Sequence, residues 1–394
     1  MTSQVHFDDI LPLKRIAGGS YGTVVLCKHL SSQLVLKLVD KNRLDTTERI
    51  ARIETEWRVL REVSCTSQFL VSGLGCYQTH NAVMFALEYC ERGDLLFYFQ
   101  KRPGQYGETG RNRLLLMQIA QGIQALHEFG VVWRDAKMEN ILIGQDGRLK
   151  LCDFGLAKFL TPRSCCPPTP TPTPTPTDSF IRSLSHSSLL SYFSHNSASS
   201  STNTSMLEQE EEVWETTRTR YCGTSYYLSP QSVSGKAYGL EHDWWGFGVL
   251  VYEMLCGRLP FYSPDSTKHT YAAIMRNRPR MRQFKHATTK QFVSQLLTSL
   301  RTKRLGFGPN AFRKIQSHAF FAKEVSTAGG NWDRAVEQTP LRFPPIEACF
   351  DPSQCEFDTF TGSGRPDLII DGVECISEAN FQRLREQVRG VVMV

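Results

Sequence analysis

An α+β fold is what this sequence predicts, and three observations carry the prediction. Short, partly β-branched apolar runs appear at LVLKLV (residues 34–39), Val131–Val132, Ile141–Ile143 and Leu149–Cys152, lengths that suit strands. Longer stretches, ERIARIETEWRVLREV (48–63) and LLLMQIAQGIQALHEFG (114–130), read as helices. Between the strands of residues 131–155, two short loops crowd together Arg134, Asp135, Lys137, Glu139, Asn140 and Asp153. A hydrophobic core has no use for six such groups in one place, so the loops are read as a site.

The bulk composition sets the frame for that site. A chain of 394 residues is long enough for two or three domains, and 41% hydrophobic with 11% aromatic residues suits a sizeable core. The net charge of +6 reads as a mild excess spread along the chain, too diffuse for a nucleic-acid partner. The 12 cysteines are scattered, with one adjacent pair (Cys165–Cys166) and no C-x-x-C spacing for zinc. Reduced thiols in the cytosol or nucleus are therefore expected. The absence of a signal peptide, of an apolar run near ~18 residues, and of a glycine after Met1 predicts no membrane anchor.

The six clustered side chains suit phosphoryl transfer. There one Asp orients the attacking hydroxyl, a Lys neutralises the γ-phosphate, and an Asn with a second Asp holds magnesium. The run W-R-D-x-K-x-E-N (133–140), followed by D-F-G (153–155), resembles the H-R-D-L-x-x-x-N and D-F-G signatures of protein kinases. That resemblance implies an α+β bilobal fold, with a small antiparallel sheet in an N-lobe (1–90) and a mainly helical C-lobe (91–321). A C-terminal tail (322–394) resembles that of the AGC group, the relatives of the cyclic-AMP-dependent kinase.

Taken in order, Phe7–Val24 opens as a strand and turns into a glycine-rich loop. Gly19 and Gly22 let the backbone close over phosphates where a Cβ would clash. Ala17 stands where the kinase pattern has its first glycine, and the resemblance puts Val24 on the adenine face. Lys37 occupies the V-A-I-K position, and a lysine on an apolar strand needs a partner. Glu56, with its E-x-x-x-L spacing to Leu60, is favoured over Glu54. At the hinge, the backbones of Glu88 and Cys90 are implied adenine contacts behind the gatekeeper Leu87. Asp94 is expected either to accept from ribose or a substrate arginine, or simply to cap the helix that starts at Leu95.

In the catalytic loop, the resemblance assigns Asp135 to the substrate hydroxyl, Lys137 to the γ-phosphate, and Asn140 and Asp153 to Mg²⁺. Trp133 and Met138 replace the usual His and Pro as packing residues. Residues from about 161 to 212 are rich in Pro, Ser and Thr, and are expected to form a disordered insert closed by the acidic run Glu208–Glu212. Order is expected to return at C-G-T-x-x-Y (222–227), with Thr224 bonded to Asp135 and Lys137. Two departures follow. Gln231 stands in place of the A-P-E glutamate, so its ion pair with Arg304 would become a neutral hydrogen bond. Arg220 occupies the position of the phosphorylated threonine, where it would repel Arg134. Thr219, or an acidic side chain of 208–215, is the expected source of the missing negative charge.

Further on, Asp243 is expected to cap the catalytic-loop backbone. Glu253 and Glu139 resemble carboxylates that read arginines two and three residues before the phosphoacceptor. In the tail, Phe357 or Phe360 would complete the adenosine pocket, and no terminal F-x-x-F motif is evident beyond the weak Phe381–Leu384. The reading is a monomeric AGC-type serine/threonine kinase using ATP and Mg²⁺. It would act on protein substrates with basic motifs, under an upstream kinase or regulatory subunit, with no nucleic-acid or membrane partner. Two other classes compete: a nucleotide-binding pseudokinase scaffold, and a small-molecule phosphotransferase.

Overall fold

The computed structural model describes residues 5–19, 22–161, 216–219, 221–337, 343 and 374–376. The insert from residue 162 onward, Arg220, Phe357, Phe360 and Phe381–Leu384 lie outside the described residues.

Five strands alternate with turns to build the N-lobe sheet: β1 (Ile10–Gly19), β2 (Gly22–His29), β3 (Ser32–Asp40), β4 (Gly73–Gln78) and β5 (Ala82–Glu88). They pair antiparallel, as the resemblance implies, and stand in the order β1-β2-β3-β5-β4. The register sets Lys37 beside Val24 on one neighbour and Phe85 on the other, which aims all three at the same face. Helix α1 (Thr47–Glu62) begins where the Thr46 hydroxyl accepts from the Arg49 amide at 3.3 Å. It turns Ile53, Glu56, Val59 and Leu60 inward, the i, i+3, i+6/7 face of a helix. The opposite face of the sheet is covered by the chain's beginning, where Val5, Phe7 and Ile10 pack with Tyr77.

The C-lobe holds α2 (Leu95–Lys101), α3 (Gly110–His127), α4 (Pro230–Ser234), α5 (Glu241–Cys256), α6 (Thr267–Arg276), α7 (Ala287–Leu296), α8 (Ala311–Gln316), α9 (Ala322–Thr327) and α10 (Trp332–Glu337). Helix α5 is buried on nearly every side, from Trp244 and Trp245 to Leu255, as an apolar helix at the centre of a lobe must be. Between α3 and α4 run the short strands β6 (Val131–Val132), β7 (Ile141–Ile143), β8 (Leu149–Leu151) and β9 (Lys158–Phe159). The β7–β8 hairpin turns at Gly147, whose φ of 78° needs a residue without a Cβ.

Two tail contacts return to the body. Phe343 is buried against Tyr98, ring centroids 4.9 Å apart, and its carbonyl accepts from Arg92 at 2.6 Å. Then β10 (Glu374–Cys375) adds to the exposed edge of β4 as a parallel sixth strand, with the Ile376 amide donating to the Gln78 carbonyl at 2.9 Å. The sequence gives no sign of this strand, since two residues are too few for a periodicity to show. Cys27, Cys65, Cys76, Cys90, Cys152, Cys222 and Cys256 are free thiols. Among the described residues no helix is long and apolar enough to cross a membrane.

Gly122 of α3 tests how closely the lobe is packed. A Cβ there would lie 2.8 Å from Leu151 Cδ1 and 3.0 Å from the Phe69 carbonyl oxygen. Gly→Ala in an open helix gains about 1 kcal/mol, but overpacking a core typically costs about 1–3 kcal/mol. Gly122→Ala is therefore expected to lower the thermal midpoint, and a denaturation curve showing a rise would contradict the packing described.

Candidate active site

Lys37 comes from the middle of β3 and meets two carboxylates from opposite sides. Its Nζ lies 2.6 Å from Glu56 Oε1 on α1 and 3.1 Å from Asp153 Oδ1 in the loop after β8. Burial disfavours the ammonium, yet the charges of Asp153 and Glu56 outweigh it and hold Lys37 above the ordinary lysine range. The nearby Lys37 cation in turn holds Asp153 below the ordinary carboxylate range, so both stay charged. Glu54, the weighed alternative, is exposed. Glu56 is buried and is the partner.

Asp135 sits at the centre of a second group. Its Oδ2 accepts from Lys137 Nζ and from Asn140 Nδ2, each at 2.7 Å. Its Oδ1 accepts from the Thr224 hydroxyl at 2.7 Å and the Thr224 amide at 3.1 Å. Lys137 also donates to the Thr224 hydroxyl at 3.0 Å, so the loop and residue 224 close a ring of hydrogen bonds as the sequence predicts. Asn140 spends its amide nitrogen on Asp135, which leaves its side-chain oxygen for another purpose. That oxygen and the half-exposed Asp153 carboxylate are hard donors of the kind magnesium takes, together with phosphate oxygens and water. The residues fit the ion.

The loop that carries these groups is held from below. Buried Asp243 accepts from the Trp133 amide at 2.8 Å, the Arg134 amide at 2.9 Å, and His127 Nε2 at 2.8 Å. Burial pushes its carboxyl upward, but His127 and these amides outweigh that and keep it low. They restrain Arg134 at φ 70°, while Asp153 sits at φ 56°, two left-handed residues of the kind that gather at active sites. Trp133 and Met138 are fully buried, in keeping with packing roles.

Several expectations are refined. Arg134 donates from Nε to the Leu156 carbonyl (2.6 Å) and from Nη2 to the Ala157 carbonyl (3.3 Å), gripping the segment after D-F-G. Thr219 bonds through the Thr217 hydroxyl (3.1 Å), which in turn accepts from Lys158 Nζ at 2.9 Å. Asp94 accepts from the Phe97 amide at 2.8 Å, so the capping expectation describes one of its oxygens. At the hinge, the Cys90 carbonyl closes a turn to the Gly93 amide (3.3 Å), and the Glu88 carboxylate is taken by Ser72 N (2.7 Å) and Lys150 (2.9 Å). The Glu88 amide is likewise taken, donating to the Ser72 carbonyl at 3.1 Å.

The glycine-rich loop also differs from a bare flap. Gly19 pairs with Gly22, where a Cβ would fall 2.0 Å from the Leu38 carbonyl oxygen. The space beside Gly18 is filled by the buried guanidinium of Arg15, 1.9 Å from where a Cβ would stand. Sequence reading passed over Arg15, because a basic residue on an edge strand looks like a solvent-facing one. Ala17 lies opposite Val24, and its carbonyl faces Arg15 Nε at 3.5 Å.

Glu253 is half-buried rather than a fully exposed helix residue, and it accepts from the hydroxyl of Tyr227, a residue the sequence analysis left without a role. Burial, helped by exposed Glu139, pushes its carboxyl up to about 7. Gln231 makes the neutral contact that was expected. Its oxygen accepts from Arg304 Nη2 at 2.8 Å, and its nitrogen donates to the Ser299 carbonyl at 2.6 Å. The missing carboxylate is replaced from elsewhere by buried Glu241, 2.7 Å from Arg301 Nε and within the field of Arg304. Burial lowers Arg304 to about 10.

A model of the protein kinase domain matches residues 12–180 and 204–321. Among known proteins, the chain is 27% identical over 347 residues to the RAC-beta serine/threonine-protein kinase of Rattus norvegicus, an alignment covering 88% of this chain and 59% of that protein. It is 28% identical over 336 residues to the RAC serine/threonine-protein kinase of Drosophila melanogaster, covering 84% of this chain and 45% of that one. The human RAC-beta kinase is 27% identical over 347 residues. The chain thus matches between 45% and 59% of the length of these relatives.

Glu241 gives a test of the anchor. Removing one partner of a buried ion pair costs about 3–5 kcal/mol. Glu241→Gln is expected to destabilise the fold on that scale in denaturant titration, and a loss below about 1 kcal/mol, the exposed-pair value, would mean that Gln231 alone suffices.

Proposed function

The chain belongs to the protein kinase family, and on that premise we propose that it transfers the γ-phosphate of ATP to serine or threonine hydroxyls of proteins. One observation carries the reading: Lys37, Glu56 and Asp153 are joined across the two lobes, while Asp135, Lys137, Asn140 and Thr224 close a ring beside them. Bound magnesium, held by Asn140 and Asp153, would neutralise phosphate charge. Lys37 is charged and positioned for the α- and β-phosphates. Asp135, held by four donor groups from three residues, can accept from the substrate hydroxyl and orient it for in-line attack. Lys137 bridges Asp135 and Thr224, where it can turn to the γ-phosphate. Ala17, Gly19, Gly22 and Val24 would line the nucleotide from above, with the backbones of Glu88 and Cys90 at the adenine edge.

A scaffold that binds nucleotide without transferring phosphate finds no support in a site whose polar groups are all present and bonded to one another. Thr224 extends the site toward a peptide rather than a small molecule. The AGC resemblance and the RAC-named relatives favour a serine/threonine acceptor. Glu253 and Glu139 favour arginine upstream of it, because a carboxylate pairs with the planar guanidinium fork more selectively than with an ammonium. Arg134, Lys158 and the Thr217–Thr219 hydroxyls make Thr219 the proposed point of control, where added negative charge would meet two cations.

Transfer of labelled γ-phosphate from Mg·ATP to an arginine-rich Ser peptide is expected, with loss of at least about 10²-fold in Asp153→Ala. Absence of transfer with nucleotide demonstrably bound would overturn the reading. The pH dependence has a definite sign. Glu253 is neutral below about 7 and charged above it. KM for the arginine peptide is therefore expected to fall as pH rises through 7, and Glu253→Gln should flatten the dependence. A profile unchanged by that substitution would remove Glu253 from substrate recognition.

A further inference from the structure

The positive charge of the chain is not spread evenly, contrary to the first reading of its composition. From Ser266 to Lys323 there is no Asp or Glu at all, against thirteen Lys and Arg. Within this stretch, residues 276–283 (RNRPRMRQ) place an arginine at every second position. Arg276, Arg278, Arg280 and Arg282 are exposed, while Asn277, Pro279, Met281 and Gln283 between them are half-buried against the body. None of the four arginines forms an ion pair among the described residues.

The backbone beneath this row is fixed. Asn277 ends α6 in the left-handed region and donates from its side chain to the Leu297 carbonyl at 2.6 Å. The Tyr252 hydroxyl donates to the Arg280 carbonyl at 3.1 Å and accepts from Gln283 Nε2 at 3.0 Å. Phe284 is buried edge-on against Tyr252. Four like charges are thus exposed along one segment with a fixed backbone, with no carboxylate in the local sequence to neutralise them. Their mutual repulsion makes that edge a standing attraction for an anionic chain.

The edge starts close to the substrate platform. Tyr271 of α6 stacks on Tyr221 at 5.0 Å and reaches the Ser225 hydroxyl at 3.5 Å, one residue beyond Thr224. Arg276 lies five residues further along the same helix, about 7.5 Å along its axis. The row stays below the fully extended limit of about 22 Å, because Arg276 closes α6, Asn277 is left-handed and Met281–Gln283 form a 3-10 turn, so about six extended residues suffice to run along it.

We propose that Arg276, Arg278, Arg280 and Arg282 form a docking edge for an extended acidic segment of the protein substrate, remote from its phosphoacceptor. The proposal rests on the kinase reading of the neighbouring site and adds a substrate class to it: proteins with arginine near the acceptor and a separate acidic stretch. Arginine at all four outward positions suits carboxylates, which its fork engages in pairs. Nucleic acid fits less well, since no aromatic ring stands among the outward residues for a base to stack on. A membrane fits less well too, because Met275 is the one exposed large apolar residue between Ser266 and Lys285.

The test is a binding measurement that needs no catalysis. A fluorescent eight-residue peptide with glutamate at every second position is titrated with the full chain at moderate salt, beside a single-stranded oligonucleotide and phosphatidylserine vesicles. The peptide is expected to bind in preference to both, and to lose at least tenfold in affinity in Arg278→Glu/Arg280→Glu. Phosphate transfer to a short basic peptide that cannot reach the edge should be retained by that variant. Arg276→Ala/Arg282→Ala serves as a milder second variant with the same direction of change. Equal peptide binding by the variants, no peptide binding, or tighter binding of the oligonucleotide or vesicles would each overturn the proposal. Retained affinity for the peptide in a chain that transfers no phosphate would instead leave the docking edge standing and overturn the kinase reading.

Discussion

The rest of the structure depends on one charge placed where charge is expensive. Lys37 lies on an apolar strand, and an unpaired ammonium there would shift or unfold its surroundings. Two carboxylates settle it, and they come from different parts of the chain: Glu56 from α1 and Asp153 from the loop that follows β8 in the other lobe. The triangle is thus both an electrostatic necessity and a ruler. It fixes α1 against the sheet and the sheet against the catalytic loop. Ring closure at Asp135 then has a defined neighbour, and a nucleotide would find Lys37, Asp153 and Asn140 already converged.

A second constraint operates below the site, where burial again forces pairing. Asp243 binds two successive amides of the catalytic loop, and so converts a strained backbone at Arg134 into a fixed one. Gln231 and Arg304 show how such an anchor tolerates a lost charge. The amide both accepts and donates, satisfying Arg304 and the Ser299 carbonyl together, and Glu241 supplies the carboxylate from the start of α5. A glutamate at position 231 could make the first contact but would set two acceptors against each other at the second.

Much of this was legible because the chemistry is carried by short local patterns. The ring joining Asp135, Lys137 and Thr224, the Lys37–Glu56 pair, the Asp243 cap and the Gln231–Arg304 contact each follow from the resemblance to protein kinases, carried over motif by motif. What escaped reading was set by tertiary approach. Arg15 folds over Gly18, Glu241 turns toward Arg301, and β10 joins β4 across some three hundred residues, none of which leaves a periodic trace. For Asp94 a ligand role competed with a cap, and the Phe97 amide takes one of its oxygens. The arginine row was present in the sequence all along, but only its alternation of exposure makes it a surface rather than a tally of charges.

The proposed role of Glu56 is to order Lys37 for transfer rather than simply to stabilise the N-lobe. The most direct measurement is single-turnover phosphate transfer by Glu56→Gln under saturating Mg·ATP, alongside its nucleotide affinity and its thermal midpoint. The transfer rate is expected to fall by about 10²-fold, the scale of one lost electrostatic or positioning contact, with the fold intact and nucleotide still bound. A transfer rate equal to that of the unmodified chain would contradict it, and would reduce the triangle to a structural ion pair.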